Sequence, residues 1–142
     1  MKNSMEKILG LDLGSVTCGV AVSDFMGIIA SAVKTIRFAD GDYDDCLNQV
    51  LAIAKEMSIK TIVLGLPKHM NGDVGIRGEI SMDFKERLED NGMNVVLWDE
   101  RLTTVSAERT LIHADVSRKK RKKVIDQLAA VTILQDYLNS KN

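Results

Sequence analysis

At three places in the chain, acidic residues stand where a carboxylate is costly unless something pairs with it. Asp12 falls inside ILGLDLGSVTCGVAVSD (residues 8–24), among apolar residues and two positions before Gly14. Asp99 and Glu100 close the apolar run NVVLWDE, and Asp126 occurs in KKVIDQLAAVTILQDYL. On a helix, Asp126 shares a stripe with Ala129, Ala130, Ile133 and Tyr137, a mostly apolar face suited to packing on a sheet. Burying an unpaired charge costs several kcal/mol or forces protonation. Carboxylates brought together repel unless one holds a proton or a cation binds them. An all-oxygen donor set suits Mg²⁺ or Mn²⁺. Two such ions activate a water and stabilise the leaving oxygen of a phosphodiester. Each acid also has an ordinary reading. Asp12 can serve a turn, Asp99 can cap the following helix, Arg101 can neutralise either acid of the pair, and Asp126 can face solvent.

The elements that must position these acids follow from the hydrophobic pattern. Residues 7–13, 18–23 and 28–37 read as strands joined by short Gly- or Asp-containing turns, so they are antiparallel. Cys46, Val50, Ile53, Ala54 and Met57 recur at helical steps and predict a helix over 42–57. TIVLGLP (61–67) has the continuous apolar character of a doubly covered parallel strand. A helix over 78–91 should end at Asn91-Gly92, and 94–100 is a fifth strand. Thr103 or Thr104 caps a helix running to His113, and a last helix starts within or after RKKRKK and ends near Leu138. Right-handed crossovers then give an α/β fold, a five-stranded mixed sheet with helices on both faces. Its strand carboxyl ends form the ligand crevice. Asp12 and the Asp99–Glu100 pair reach that crevice from the first and fifth strands. Adjacent strand residues face opposite ways, so only one of Asp99 and Glu100 shares a face with Asp12. Geometry alone leaves that choice open, because Trp98 has the parity of Glu100.

Two further features bear on substrate. The loop from Pro67 to Glu79 carries Gly72, Gly75 and Gly78, with Arg77 before the predicted helix. Such a loop lets backbone amides approach an anion, and His69, Asn71 and Arg77 are candidate contacts to a nucleic-acid backbone. The plain alternative is a surface loop rich in turn residues. Net charge is −1, but Arg118, Lys119, Lys120, Arg121, Lys122 and Lys123 form an uninterrupted basic run. The remainder has 13 basic residues against 20 acidic ones. Beside a phosphodiesterase site the run would neutralise phosphates with salt-dependent affinity; otherwise it is a solvated charge run. One Trp, two Tyr and three Phe are too few for a base-stacking platform. With 142 residues, one proline and no linker-like stretch, residues 1–142 read as one domain. Cys18 and Cys46 lack metal-ligand spacing, and no signal-like or membrane-spanning run occurs, so the expected compartment is the cytoplasm, with no membrane partner.

LGLDLGSVTCGVAVSD, VLGLPKHMNGDVGIRGE, WDERLTTVSAERTL and IDQLAAVTILQDYL resemble the signature blocks of the YqgF (RuvX-like) family. These are Holliday junction resolvase-type proteins of the ribonuclease H-like superfamily, also described as nucleases for small-subunit ribosomal RNA precursors. The resemblance implies a ribonuclease H-like fold and a metal-dependent nuclease. Its acids correspond to Asp12, Glu100 and Asp126, holding Mg²⁺ or Mn²⁺, expected as two ions. Nucleic-acid contacts would come from His69, Asn71, Arg77, Arg101 and residues 118–123. The expected partner is pre-16S rRNA or branched DNA, met by a monomer or weak homodimer. Three alternatives stand beside rRNA processing: junction resolution, an assembly factor with little catalysis, and ATP binding by a hairpin resembling that of actin-like ATPases. The last requires a second domain and hairpin, which this sequence lacks.

Overall fold

A computed structural model describes residues 6–66, 75–99 and 118–141, with residues 118–127 as backbone only. Its elements in chain order are β1 (Ile8–Leu13), β2 (Thr17–Ser23), β3 (Ala30–Arg37), α1 (Tyr43–Met57), β4 (Thr61–Leu66), α2 (Gly75–Asp90), β5 (Asn94–Asp99) and α3 (Arg118–Lys141). The five strands lie in the order β3-β2-β1-β4-β5. β1 pairs antiparallel with β2, and β2 with β3, whereas β1–β4 and β4–β5 are parallel. This is the mixed sheet expected from three tightly connected strands followed by helical crossovers. The helix expected between Thr103 and His113 lies outside the described residues.

Strand parity divides the core into two layers. Leu9, Leu11, Ile62, Leu64, Val95 and Leu97 pack with Val50 and Ala54 of α1 and with Phe84 and Leu88 of α2. On the other face Ile8, Val63, Val96 and Trp98 meet Ala130, Ile133, Leu134, Leu138 and Tyr137 of α3. Thus α1 and α2 cover one face and α3 the other.

Local chemistry sets the boundaries. Asp42 caps α1, its side chain accepting from the Asp45 amide, and Asp44 and Asp45 favour the positive helix end. Gly92, at φ 87°, ends α2 as the sequence predicts. There the Met93 amide donates to Leu88 O and the Gly92 amide to Glu89 O. The helix begins at Gly75, earlier than predicted, and buries Gly78, Ser81, Phe84 and Leu88 at steps of three and four. Buried Gly78 extends that inward stripe, so packing overrides the propensity of a Gly-rich start. β3 begins at Ala30, two residues later than predicted. Asp24 Oδ1 accepts from the amides of Ile28 (2.8 Å) and Ile29 (3.2 Å), which draws both into the turn. Those amides also hold the Asp24 carboxyl below its ordinary pKa.

α3 sits unusually close to the sheet. A Cβ added at Gly10 would stand 2.8 Å from Leu134 Cβ and 3.2 Å from Ala130 O. The helix is also tied to the β2–β3 turn. Gln135 Nε2 donates to Ile28 O (2.7 Å), and Gln135 Oε1 accepts from the Ala30 amide (2.9 Å). Among the described residues, no helix is long and apolar enough to cross a membrane.

Overpacking a fixed helix–strand contact costs about 1–3 kcal/mol. Gly10→Ala should therefore lower stability by about that amount, read as a reduced urea midpoint. Near-ultraviolet circular dichroism of Trp98 should change with it, because Trp98 meets the Tyr137 ring edge-on on the same helix. An unchanged midpoint would show that α3 moves away at no cost.

Candidate active site at the carboxyl end of β1

Asp12 occupies the penultimate position of β1, partly buried between Leu11 and Leu13, which are 0% and 4% exposed. It shares the strand face of Gly10 and Ile8, the face covered by α3. Among the described residues, no donor or cation pairs with its carboxylate. A partly buried acid held by a rigid strand, with open oxygen lone pairs, is a suitable hard-cation ligand.

The register shows how the other acid-bearing segments lie. Gly10 is level with Val63, and Val63 with Val96. Continuing β1–β4 by one residue sets Asp12 beside Gly65, whose β5 partner is Trp98. Trp98 packs on the α3 side, so even-numbered β5 positions share the face of Asp12. Asp99, paired with Leu66, has the opposite parity, that of Leu97 in the α1–α2 layer. Trp98 had left the sequence argument undecided; its packing against Tyr137 removes that objection. Glu100 itself lies outside the described residues.

Position 126 belongs to α3, one turn before Ala130. Gln135 bonds Ala30, which is level with Ser23, and Ser23 Oγ accepts from the Ile8 amide, whereas Ala130 meets Gly10. The helix therefore runs opposite to β1. A helical turn advances about 5.4 Å and two strand residues about 6.6 Å, so backbone position 126 comes roughly level with Asp12. Positions 118–123 continue beyond it as the first turns of α3, past the carboxyl end of β1.

Arg77 is anchored rather than loose: its Nη2 donates to Leu13 O at 3.0 Å. Sequence reasoning missed this bond, as it missed the role of Gly10. The parity of Gly10 with Asp12 was the available signal for the second. His69, Asn71 and Arg101 lie outside the described residues. No group of three or more His, Cys, Asp or Glu side chains suited to a metal occurs among the described residues. Of the three acids singled out, only the Asp12 side chain is among them.

A family model described as RuvX, Holliday junction resolvase, matches residues 6–140. The chain belongs to the RuvX family. It is 58% identical over 137 residues to a Bacillus licheniformis protein named "Putative pre-16S rRNA nuclease", covering 96% of this chain and 99% of that one. A Staphylococcus epidermidis protein of the same name is 52% identical over 136 residues, with 94% and 96% covered. Among solved structures, T. thermophilus RuvC in complex with a Holliday junction substrate superposes with a TM-score of 0.59 at 11% identity, covering 96% of this chain and 95% of that chain. The RuvX-family chain thus has the ribonuclease H-like fold of the resolvases.

Strand parity makes a direct prediction for this RuvX-family chain. Glu100→Gln and Asp12→Asn should each weaken Mn²⁺ binding at least tenfold by isothermal titration calorimetry, with Asp99→Asn near wild type. The reverse pattern, with Asp99→Asn alone losing the ion, would show that β5 breaks its alternation at the strand end.

Proposed function

We propose that this protein is a nuclease that hydrolyses phosphodiester bonds in the precursor of 16S rRNA, using Asp12, Glu100 and Asp126. The observation that carries the reading is Asp12 itself. It is a partly buried strand carboxylate with no protein partner among the described residues, on the face that α3 covers, in a RuvX-family chain. The pre-16S substrate is supported by the name its relatives carry at 52–58% identity. Junction resolution is the second reading, supported by the description of the family model.

The donor set fits a hard divalent cation. Asp12, Glu100 and Asp126 offer oxygens only, and no described side chain neutralises Asp12. Mg²⁺ or Mn²⁺, as two ions, would supply a water of lowered pKa and a counter-charge for the leaving oxygen. The chain's own residues bind and orient the substrate. The side chains of Arg118, Lys119, Lys120, Arg121, Lys122 and Lys123 attract the sugar-phosphate backbone, with His69, Asn71 and Arg101 contacting phosphates nearer the acids. Recognition by backbone and shape follows, since aromatics for base stacking are scarce. We read the chain as one cytoplasmic nuclease domain, active as a monomer or weak homodimer.

The test incubates purified protein with pre-16S rRNA and with a four-way DNA junction, each with Mg²⁺ or Mn²⁺. Wild type should cut the rRNA precursor, Asp12→Asn should abolish cutting while remaining folded, and glutamine at 118–123 should flatten the salt dependence of binding. Cleavage of the junction alone would establish the second reading. RNA binding without cleavage under either metal would leave an assembly factor. Full activity of Asp12→Asn would remove Asp12 from the chemistry.

A further inference from the structure

The turn that follows Asp12 is held on nearly every carbonyl it exposes. Thr17 O accepts from the Gly14 amide (2.7 Å), Val16 O from the Phe38 amide (3.0 Å) and Ser15 O from the Gly41 amide (3.2 Å). Leu13 O accepts from Arg77 Nη2 (3.0 Å). Three of these four anchors are backbone amides, which no side-chain substitution removes. The fourth is a guanidinium reaching from the first turn of α2 to the last residue of β1.

Arg77 thereby connects two regions that the sheet does not join directly. β1 pairs with β2 and β4, and α2 packs through Phe84 and Leu88 further along its length. Gly14 leaves room for this arrangement. A Cβ there would stand 3.0 Å from Thr17 O and 3.7 Å from Arg77 Nη2. The Leu13 carbonyl belongs to the Leu13–Gly14 peptide, the next unit after the one that joins Asp12 to Leu13, so displacing it shifts the strand end immediately after Asp12. Constellations of this kind need their groups held within about 0.5 Å, and a misplacement of about 1 Å can cost about 100-fold in rate.

We propose that Arg77 is a positioning residue that clamps the Leu13 carbonyl and thereby fixes the end of β1 that carries Asp12. The assignment rests on the reading of Asp12 as part of a nuclease site. It differs from the sequence-based expectation of Arg77 as a phosphate contact in giving the guanidinium a protein acceptor, Leu13 O, at hydrogen-bond distance. A planar fork suits this task better than an ammonium, so Lys at this position recovers only part of the function.

The test compares Arg77→Gln and Arg77→Lys with wild type on single-stranded RNA in Mn²⁺, below the melting temperature of every variant. Arg77→Gln should lower kcat by about tenfold or more, leave KM within about twofold and leave the salt slope of RNA binding unchanged. Arg77→Lys should recover part of kcat. Hydrogen exchange, measured without metal or RNA, should show lost protection at the Gly14 and Gly41 amides with the β2–β3 ladder intact. A raised KM with unchanged kcat and a salt slope reduced by about one unit would make Arg77 a phosphate contact and overturn the proposal. Wild-type kcat with unaltered exchange would overturn it as well. If wild type cleaves no RNA, the nuclease reading fails separately and exchange alone decides. Lost protection then supports the clamp, and retained protection removes it.

Discussion

Everything at the candidate site depends on how closely α3 lies on β1, and that distance is set by one missing side chain. Gly10 lets the Ala130 carbonyl and Leu134 Cβ come against the strand backbone, where a methyl group would stand 2.8 Å from its nearest neighbour. The surrounding contacts are apolar and close: Ala130, Ile133 and Leu134 are fully buried against Val63 and Ala21. Interiors packed at this density do not deform continuously, so the helix has one depth and one level relative to the strand. Gln135 then fixes its position along the strand through Ile28 and Ala30. The consequence two residues along β1 is that Asp12 and backbone position 126 come to similar heights.

The proposed site would gather three carboxylates at the carboxyl end of the sheet, with the basic run 118–123 preceding position 126 in the chain. Without a cation, acids gathered there oppose folding through mutual repulsion. A site of this kind is stable in its loaded form, and metal binding then adds to stability by mass action. On the proposed reading, an acidic body with a single basic segment attracts a polyanion and still holds its carboxylates.

Much of this was legible in the sequence because the patterns were periodic. Alternating and continuous apolar runs located five strands, and the crossovers required by helices between them gave the parallel pairs. The stripe of Ala129, Ala130 and Ile133 identified the face of α3 that meets the sheet. Other features were hidden for physical reasons. Trp98 shares parity with Glu100, and sequence cannot say that both faces of β5 are covered, so its burial was uninformative. β3 starts late because a carboxylate, Asp24, captures two amides that strand propensity had assigned to a ladder. The Arg77–Leu13 bond spans 64 positions and follows no local pattern. Glu100, His69, Asn71 and Arg101 lie outside the described residues, so their part in the site rests on family resemblance and strand parity.

The central claim is that one divalent-cation site forms where β1, β5 and α3 meet. Paramagnetic broadening by substoichiometric Mn²⁺ in amide NMR spectra tests it directly. The account predicts that signals of Asp12, Leu13, Glu100 and residues around 126 vanish first, while those of residues 24–29 at the opposite end of the sheet persist. Broadening centred instead on the exposed acids Asp40, Asp42 and Asp44 near the start of α1, with Asp12 unaffected, would contradict it.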